Sequence, residues 1–296
     1  MSLSESHKIK YSIYCYKKHY KDSVFKEIIE ALKDELLKNG YYVIISDIII
    51  KDSINLIIGA NEIKDSIDLV ISTNEIKDRN WTKFIMDTDI IIVNLEQLSD
   101  IKWGNSTYMS ILKLFKVWDY SIDNIKWLMN KGITDVGHMI IGKTLAFKNF
   151  IPTLIKDIDV LFYGSINRRR KSILNSLKQS GINVIIKSNL WGVERDTFIR
   201  RAKIVLNIHF YETAILEVLR IFPVIANNEF IISENSKFPD GNDDWVDNIV
   251  FCDYNNIVTT VKYYLEHPEL IPNRIKLSKN FYETTEFLLP ISSLKI

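Results

Sequence analysis

The run LNIHFYETAILEVLR, Leu206–Arg220, is dense in groups that can bind a ligand or move a proton. An apolar stretch, Ile204–Leu206, leads straight into Asn207, His209, Tyr211 and Glu212. Glu217 and Arg220 follow among Ile215, Leu216, Val218, Leu219 and Ile221. A carboxylate in such surroundings costs free energy unless something pairs with it. In a helix beginning near Thr213, Glu217 and Arg220 share a face, so an internal ion pair is one reading. The other reading is functional: the two oxygens of Glu217 match the spacing of a vicinal diol, as a ribose presents.

Further along the same half, polar groups recur where apolar runs end. Gly164 and Ser165 close DVLFYGS, and Lys187 closes INVIIK. Gly164 lets a ligand approach the backbone closely. The cluster Arg168–Lys171 opens the next helical pattern. Cations oppose the dipole at a helix N-terminus, so a bound phosphate would account for them, as would plain solvation. Neither G-x-G-x-x-G nor G-x-x-x-x-G-K-[ST] occurs, and there is no H-E-x-x-H or cysteine pair. The D-x-D pairs Asp157/Asp159 and Asp87/Asp89 precede apolar runs and read as strand-entry residues. In the first half, Glu96 after DIIIVN and Asp119 after FKVW are candidate general bases. A hydrogen-bonded cap is the alternative for each. His138 is a weaker candidate, read more readily as core or surface.

These side chains need strands that end together. KYSIYC, YYVIISD, INLIIGA, IDLVIS and DIIIVN alternate with helical patterns in the first half. DVLFY, INVII, KIVLN, EFIISE and NIVFCD do so in the second. Near-continuous apolar strands between helices predict parallel sheets covered on both faces. In such sheets ligands sit beyond the carboxyl ends of the strands. The linker-like KTLAFKNFIPTLIKD, with an exposed Pro152, places the split near residues 143–157. The expected halves are 1–145 and 146–296, the C-terminal helix being a candidate to pack back on the first.

The chain has 296 residues, 47% of them hydrophobic and 25% charged, with a net charge of +1. That balance argues against a nucleic-acid surface. Two distant cysteines, Cys15 and Cys252, suit a reducing, cytoplasmic setting without disulfides. No run approaches the ~20 apolar residues of a membrane span, which leaves peripheral membrane contact open. The opening MSLSESHKIKYSIYCY does not read as a signal peptide.

Taken in order, DVLFYGSINRRRKSILNSL, GINVII and ERDTFIRRAKIVLNIHFYETAILEVLRIFPVIANNEFIISE resemble the donor domain of GT-B glycosyltransferases of the group-1-like kind. NLIIGA, DIIIVNLEQL and VWDYSIDNI look like the same family's N-terminal domain, so the resemblance covers residues 10–270. It implies an α/β fold of two Rossmann-like domains facing across a cleft, which holds a nucleotide-diphospho-sugar. Glu217 is similar to the family's ribose-binding glutamate. Gly164, Ser165, Arg169 and Lys187 match the diphosphate side, and Asn207, His209 and Tyr211 would face the sugar or its phosphates. Glu212 and Arg220 complete the donor-binding set, and His209 joins Glu96 and Asp119 as a catalytic candidate. The resemblance implies work without a bound metal, cations stabilising the leaving diphosphate. The implied acceptor is a glycan, protein or lipid. The family's E-x7-E pattern is missing in its common form, Glu212 being the nearest acid ahead of Glu217, so retention or inversion stays open. Pro223 would end or kink the helix that follows. An epimerase or phosphorylase on the same fold, or a non-catalytic binding module, are the alternatives.

Overall fold

The computed structural model describes residues 9–15, 25–62, 88–98, 107–148, 152, 155–212 and 214–291. The strand expected over 67–72, Asp87 of one D-x-D pair, and Thr213 lie outside the described residues. The chain divides into two compact units, Met1–Ile140 with Leu288–Ile296, and Ile141–Phe287.

In the first unit the strands are β1 (Lys10–Cys15), β2 (Tyr42–Ser46), β3 (Ile54–Ile58), β4 (Ile90–Asn94), β5 (Lys116–Asp119) and β6 (Val136–His138). They form a parallel sheet in the order β2-β1-β3-β4-β5-β6. The helices are α1 (Lys26–Lys38), α2 (Thr107–Leu114) and α3 (Ile122–Asn130). Leu56, Ile57, Ile58 and Ile92 are buried because both faces of β3 and β4 are covered. α1 ends at Asn39-Gly40, with Gly40 at φ +86°, a left-handed conformation that glycine adopts without strain. Ser121 caps α3, its hydroxyl accepting from the Asn124 amide.

The second unit carries β7 (Ile158–Tyr163), β8 (Val184–Lys187), β9 (Ala202–Asn207), β10 (Ile231–Glu234) and β11 (Val250–Cys252), parallel in the order β11-β10-β9-β7-β8. Around it stand α4 (Arg168–Gln179), α5 (Gly192–Arg201), α6 (Val218–Ala226), α7 (Asp244–Asn248), α8 (Ile257–Glu266) and α9 (Ile271–Thr284). One core cluster joins Val160, Phe162, Leu174, Leu206 and Ile232 to Val261 of α8.

Two expectations change. The units part between Ile140 and Ile141, a few residues before the expected boundary. The C-terminal helix α9 falls within the second unit. Its Phe281 and Tyr282 rings meet Trp245 of α7 and Phe222 of α6, at 4.7 and 5.3 Å between centroids. The Tyr282 hydroxyl also bonds both backbone groups of Thr144. The segment after α9 from Leu288 on belongs to the first unit, where Leu288 and Ile140 exchange both backbone hydrogen bonds at 2.9 Å.

Candidate functional site

The polar side chains of the second unit gather at the carboxyl ends of β7, β8, β9 and β10. Gly164 follows β7 with φ +135°, a conformation that L side chains rarely adopt. A Cβ there would lie 2.8 Å from the Arg220 guanidinium, so the bare glycine is what lets Arg220 lie against the strand end. The Gly164 amide donates to the Lys187 carbonyl, which fixes the end of β8 beside it. Lys187 Nζ lies 4.5 Å from the centre of the Phe198 ring.

Glu217 is not inside a helix, as the sequence suggests. The segment Ala214–Leu216 runs extended alongside Lys237, with Leu216 N donating to Lys237 O and Lys237 N to Ala214 O. α6 therefore starts at Val218, with Glu217 as its N-cap residue. A carboxylate suits a helix N-terminus. Pro223 sits inside α6 without ending it. Arg170 Nη2 donates to Glu217 Oε1 at 3.2 Å, and Arg220 Nη1 lies 3.4 Å from Oε2. The pairing foreseen with Arg220 is thus present, and Arg170 adds a second cation. Burial pushes the Glu217 carboxyl up, but Arg220, Arg170 and His209 together hold it below its ordinary value. Arg170 is itself sealed in, donating to Ile208 O and Ser165 O as well. Burial pulls its guanidinium down to about 10, with Glu217 opposing.

The first turn of α4 is basic because two carboxylates wait for it. Asn167 caps the helix through the Arg170 amide and donates its own amide to Phe210 O at 2.6 Å. Arg169 forks onto Glu234 at the end of β10 and stacks 3.9 Å from the centre of the Tyr254 ring. This changes the expectation for Arg169, whose guanidinium is committed to a carboxylate. His209 is buried, its amide donating to Glu234 Oε2 at 3.0 Å. Its Nε2 lies 2.6 Å from Ser236 Oγ and 3.2 Å from Asn235 O. Burial lowers the imidazole below its ordinary value of 6.5, against the pull of Glu217 and Glu234. Asn207 is buried, bonded to Ser233 Oγ and reached by Arg220. Tyr211 is half-buried with its ring edge-on to Phe210, and Ser165 and Glu212 are exposed.

Sequence reasoning did not single out Arg170, Glu234 or Tyr254 as a set. Glu234 and Tyr254 follow strand ends, the same signal that picked Lys187. Asp157 and Asp159 stand at the entry of β7, paired with Arg201 and Lys203 at 2.5 and 2.7 Å.

The first-unit candidates stand at the carboxyl ends of β4 and β5. Asp119 has no exposed surface, and its oxygens accept from Asn94 Nδ2, Ser121 N and Asn124 Nδ2. The expectation that Asp119 meets a substrate is corrected: a sealed carboxylate with both oxygens engaged presents nothing to one. Burial raises it to about 7, the three hydrogen bonds opposing. Asn94 and Asn124 both donate to Glu96 O, and Asn94 Oδ1 accepts from Glu96 N and from the Tyr108 hydroxyl. Glu96 is half-buried, its Oε1 accepting from Asn61 at 3.0 Å. His138 closes β6, half-buried.

No family model matches the chain. It is 30% identical over 185 residues to Uncharacterized protein L140 of Acanthamoeba polyphaga mimivirus, spanning 60% of this chain and 59% of that protein's length. With Uncharacterized protein R358 of the same virus the identity is 31% over 206 residues, 66% of this chain and 68% of R358. The chain belongs to the R358 family. Solved structures extend the likeness of this R358-family chain to nearly its whole length. HepE of Anabaena, crystallised in complex with UDP, superposes with a TM-score of 0.60 at 9% identity, covering 94% of this chain and 95% of HepE. WaaG, a glycosyltransferase involved in lipopolysaccharide biosynthesis, gives 0.60 at 9%, covering 96% and 98%. The fold of the R358-family chain is therefore the GT-B glycosyltransferase fold. Among the described residues no helix is long and apolar enough to cross a membrane.

Proposed function

We propose that the chain is a glycosyltransferase whose second unit binds a nucleotide-diphospho-sugar and passes the sugar to a glycan, protein or lipid hydroxyl. The observation that carries this is Glu217, charged, held at the N-cap of α6 between Arg170 and Arg220 at the carboxyl ends of the strands. Its carboxylate accepts hydroxyl hydrogens, and the nearby Arg220 and Lys187 supply charge for a diphosphate. As the sugar bond breaks, negative charge grows on the diphosphate, and fixed cations stabilise it more than the ground state. On this reading the cations take the place of a metal. The donor is a UDP-hexose, supported by the HepE structures with UDP and UDP-glucose. On the acceptor side we assign the general base to Glu96, with Asp119 holding its loop. The setting is the cytoplasm, where such donors are made.

Titration of the full chain with UDP and UDP-glucose tests the donor reading. At 100 times the dissociation constant a ligand stabilises by ~2.7 kcal/mol, a readable rise in melting temperature. Wild type shifts with both, and Glu217→Gln, with an unchanged circular dichroism spectrum, does not. A wild type that binds neither compound, or a folded Glu217→Gln that shifts fully, contradicts the reading.

A further inference from the structure

In the first unit, the loop after β4 is tied down by side chains from its neighbours. The Glu96 amide donates to Asn94 Oδ1 at 3.2 Å. The Glu96 carbonyl accepts from Asn94 Nδ2 and Asn124 Nδ2 at 3.0 and 2.8 Å. Asp119 holds both amides from behind, accepting from Asn94 Nδ2 at 2.6 Å and Asn124 Nδ2 at 3.1 Å. These bonds fix the backbone of Glu96 and not its side chain. The carboxylate is met from another element. β3 ends at Ile58, and Gly59 turns the chain at φ +75°. The turn Ala60–Glu62 then brings Asn61 Nδ2 to 3.0 Å from Glu96 Oε1. Both sides of this bond are rooted in one core. Ala60, beside Asn61, and Leu98, just past Glu96, belong to the same buried cluster. An ionised carboxylate only accepts, so the Asn61 amide faces it nitrogen first.

We infer that Asn61 is a positioning residue for the transfer reaction, its amide holding the Glu96 carboxylate ionised and aimed as the base that takes the acceptor's hydroxyl proton. This rests on the assignment of Glu96 as general base and deepens it. As the acceptor oxygen bonds to the anomeric carbon, its proton passes to Glu96. The bond to the diphosphate breaks, and its electron pair leaves with the diphosphate. A base must sit in hydrogen-bond geometry to its proton, so a carboxylate locked by a neighbour works better than one that turns freely. A hydrogen bond donated to the charged form also favours that form. Asn61 thus sets both the aim of the base and the pH at which it works. The other titratable groups that bear on Glu96 are Tyr108 of α2 and Asp119 of β5. Burial, with Glu96 and Asp119 adding, holds the Tyr108 phenol well above its ordinary value, so it stays a neutral donor to Asn94. Asp119 faces Glu96 across Asn94 and Asn124.

Two measurements on the full chain test this. The first needs no ligand. With carbon-13 in the glutamate carboxyls alone, Asp119 is silent, and the resonance that Glu96→Gln removes reports Glu96 through a pH titration. Asn61→Ala moves that titration up by roughly 0.5–1 in pH, one hydrogen bond's worth. Asn61→Asp, of the same shape but with a second carboxylate, moves it further. The second measurement is release of UDP from UDP-glucose with water as acceptor. Asn61→Ala lowers kcat by roughly ten- to a hundredfold, keeps KM near wild type, and moves the acid limb of the kcat profile up with the titration. An Asn61 that only supported the fold would lower the melting temperature and leave the titration and the acid limb in place. A Glu96 titration unmoved in both Asn61 variants overturns the inference, as does a wild-type kcat in folded Asn61→Ala. A wild type that binds UDP-glucose but turns it over no faster than Glu96→Gln overturns the base assignment and the inference with it. A wild type that binds no UDP-glucose overturns the donor reading instead.

Discussion

At the scale of single residues, the two units handle buried carboxylates in opposite ways. Glu217 is paired with cations and stays charged, whereas Asp119 has only neutral donors around it. The sign of the pH effect follows. Asp119 titrates at about 7 in the folded chain against an ordinary 3.8, so the folded state binds its proton more tightly than the unfolded one. Its contribution to stability is fully present below the ordinary value and is lost as pH rises through 7. Asp119→Asn, which cannot titrate and sets an amide against other donors, lowers stability by roughly 1–3 kcal/mol. Thermal melts should show that deficit larger at pH 5 than at pH 8. A deficit independent of pH contradicts the assignment. Glu217 could be picked out from the sequence because a lone carboxylate among apolar residues demands a partner. Its partner Arg170 could not, because nothing in four successive basic residues says which one turns inward.

At the scale of elements, the site depends on where helices begin. Apolar periodicity locates the strands and most helices, since burying one face is what forms them. It misjudges the start of α6, where the bridge between Ile215 and Lys237 holds the chain extended from outside the local sequence. The start of α4 is set locally by Asn167, which also ties the helix to the loop after β9. Removing this cap in Asn167→Ala costs ~1 kcal/mol of stability. It also loosens Arg169 and Arg170, so UDP binding weakens with it. Asn167→Asp restores the cap, with charge suited to a helix start, but cannot donate to Phe210 O. Melting temperature should therefore recover in Asn167→Asp while UDP affinity, measured by calorimetry, recovers only in part. Full recovery of both would show that the tie to Phe210 positions nothing.

At the scale of the whole molecule, two parallel sheets, each with its own core, form a chain of the GT-B fold. The alternation of strands and helices made that architecture legible. The path of the C-terminus was not, because its partners Trp245, Phe222 and Thr144 are distant in sequence and carry no local signal. The central claim is that the second unit grips the donor by its diphosphate and hydroxyls, through cations and one carboxylate. Crystals of the full chain soaked with UDP-glucose test it most directly. The account predicts diphosphate density within hydrogen-bond distance of the Arg220 guanidinium, with a ligand hydroxyl on Glu217. Density for the nucleotide on any other part of the chain, with Arg220 and Glu217 still paired as they are now, would contradict it.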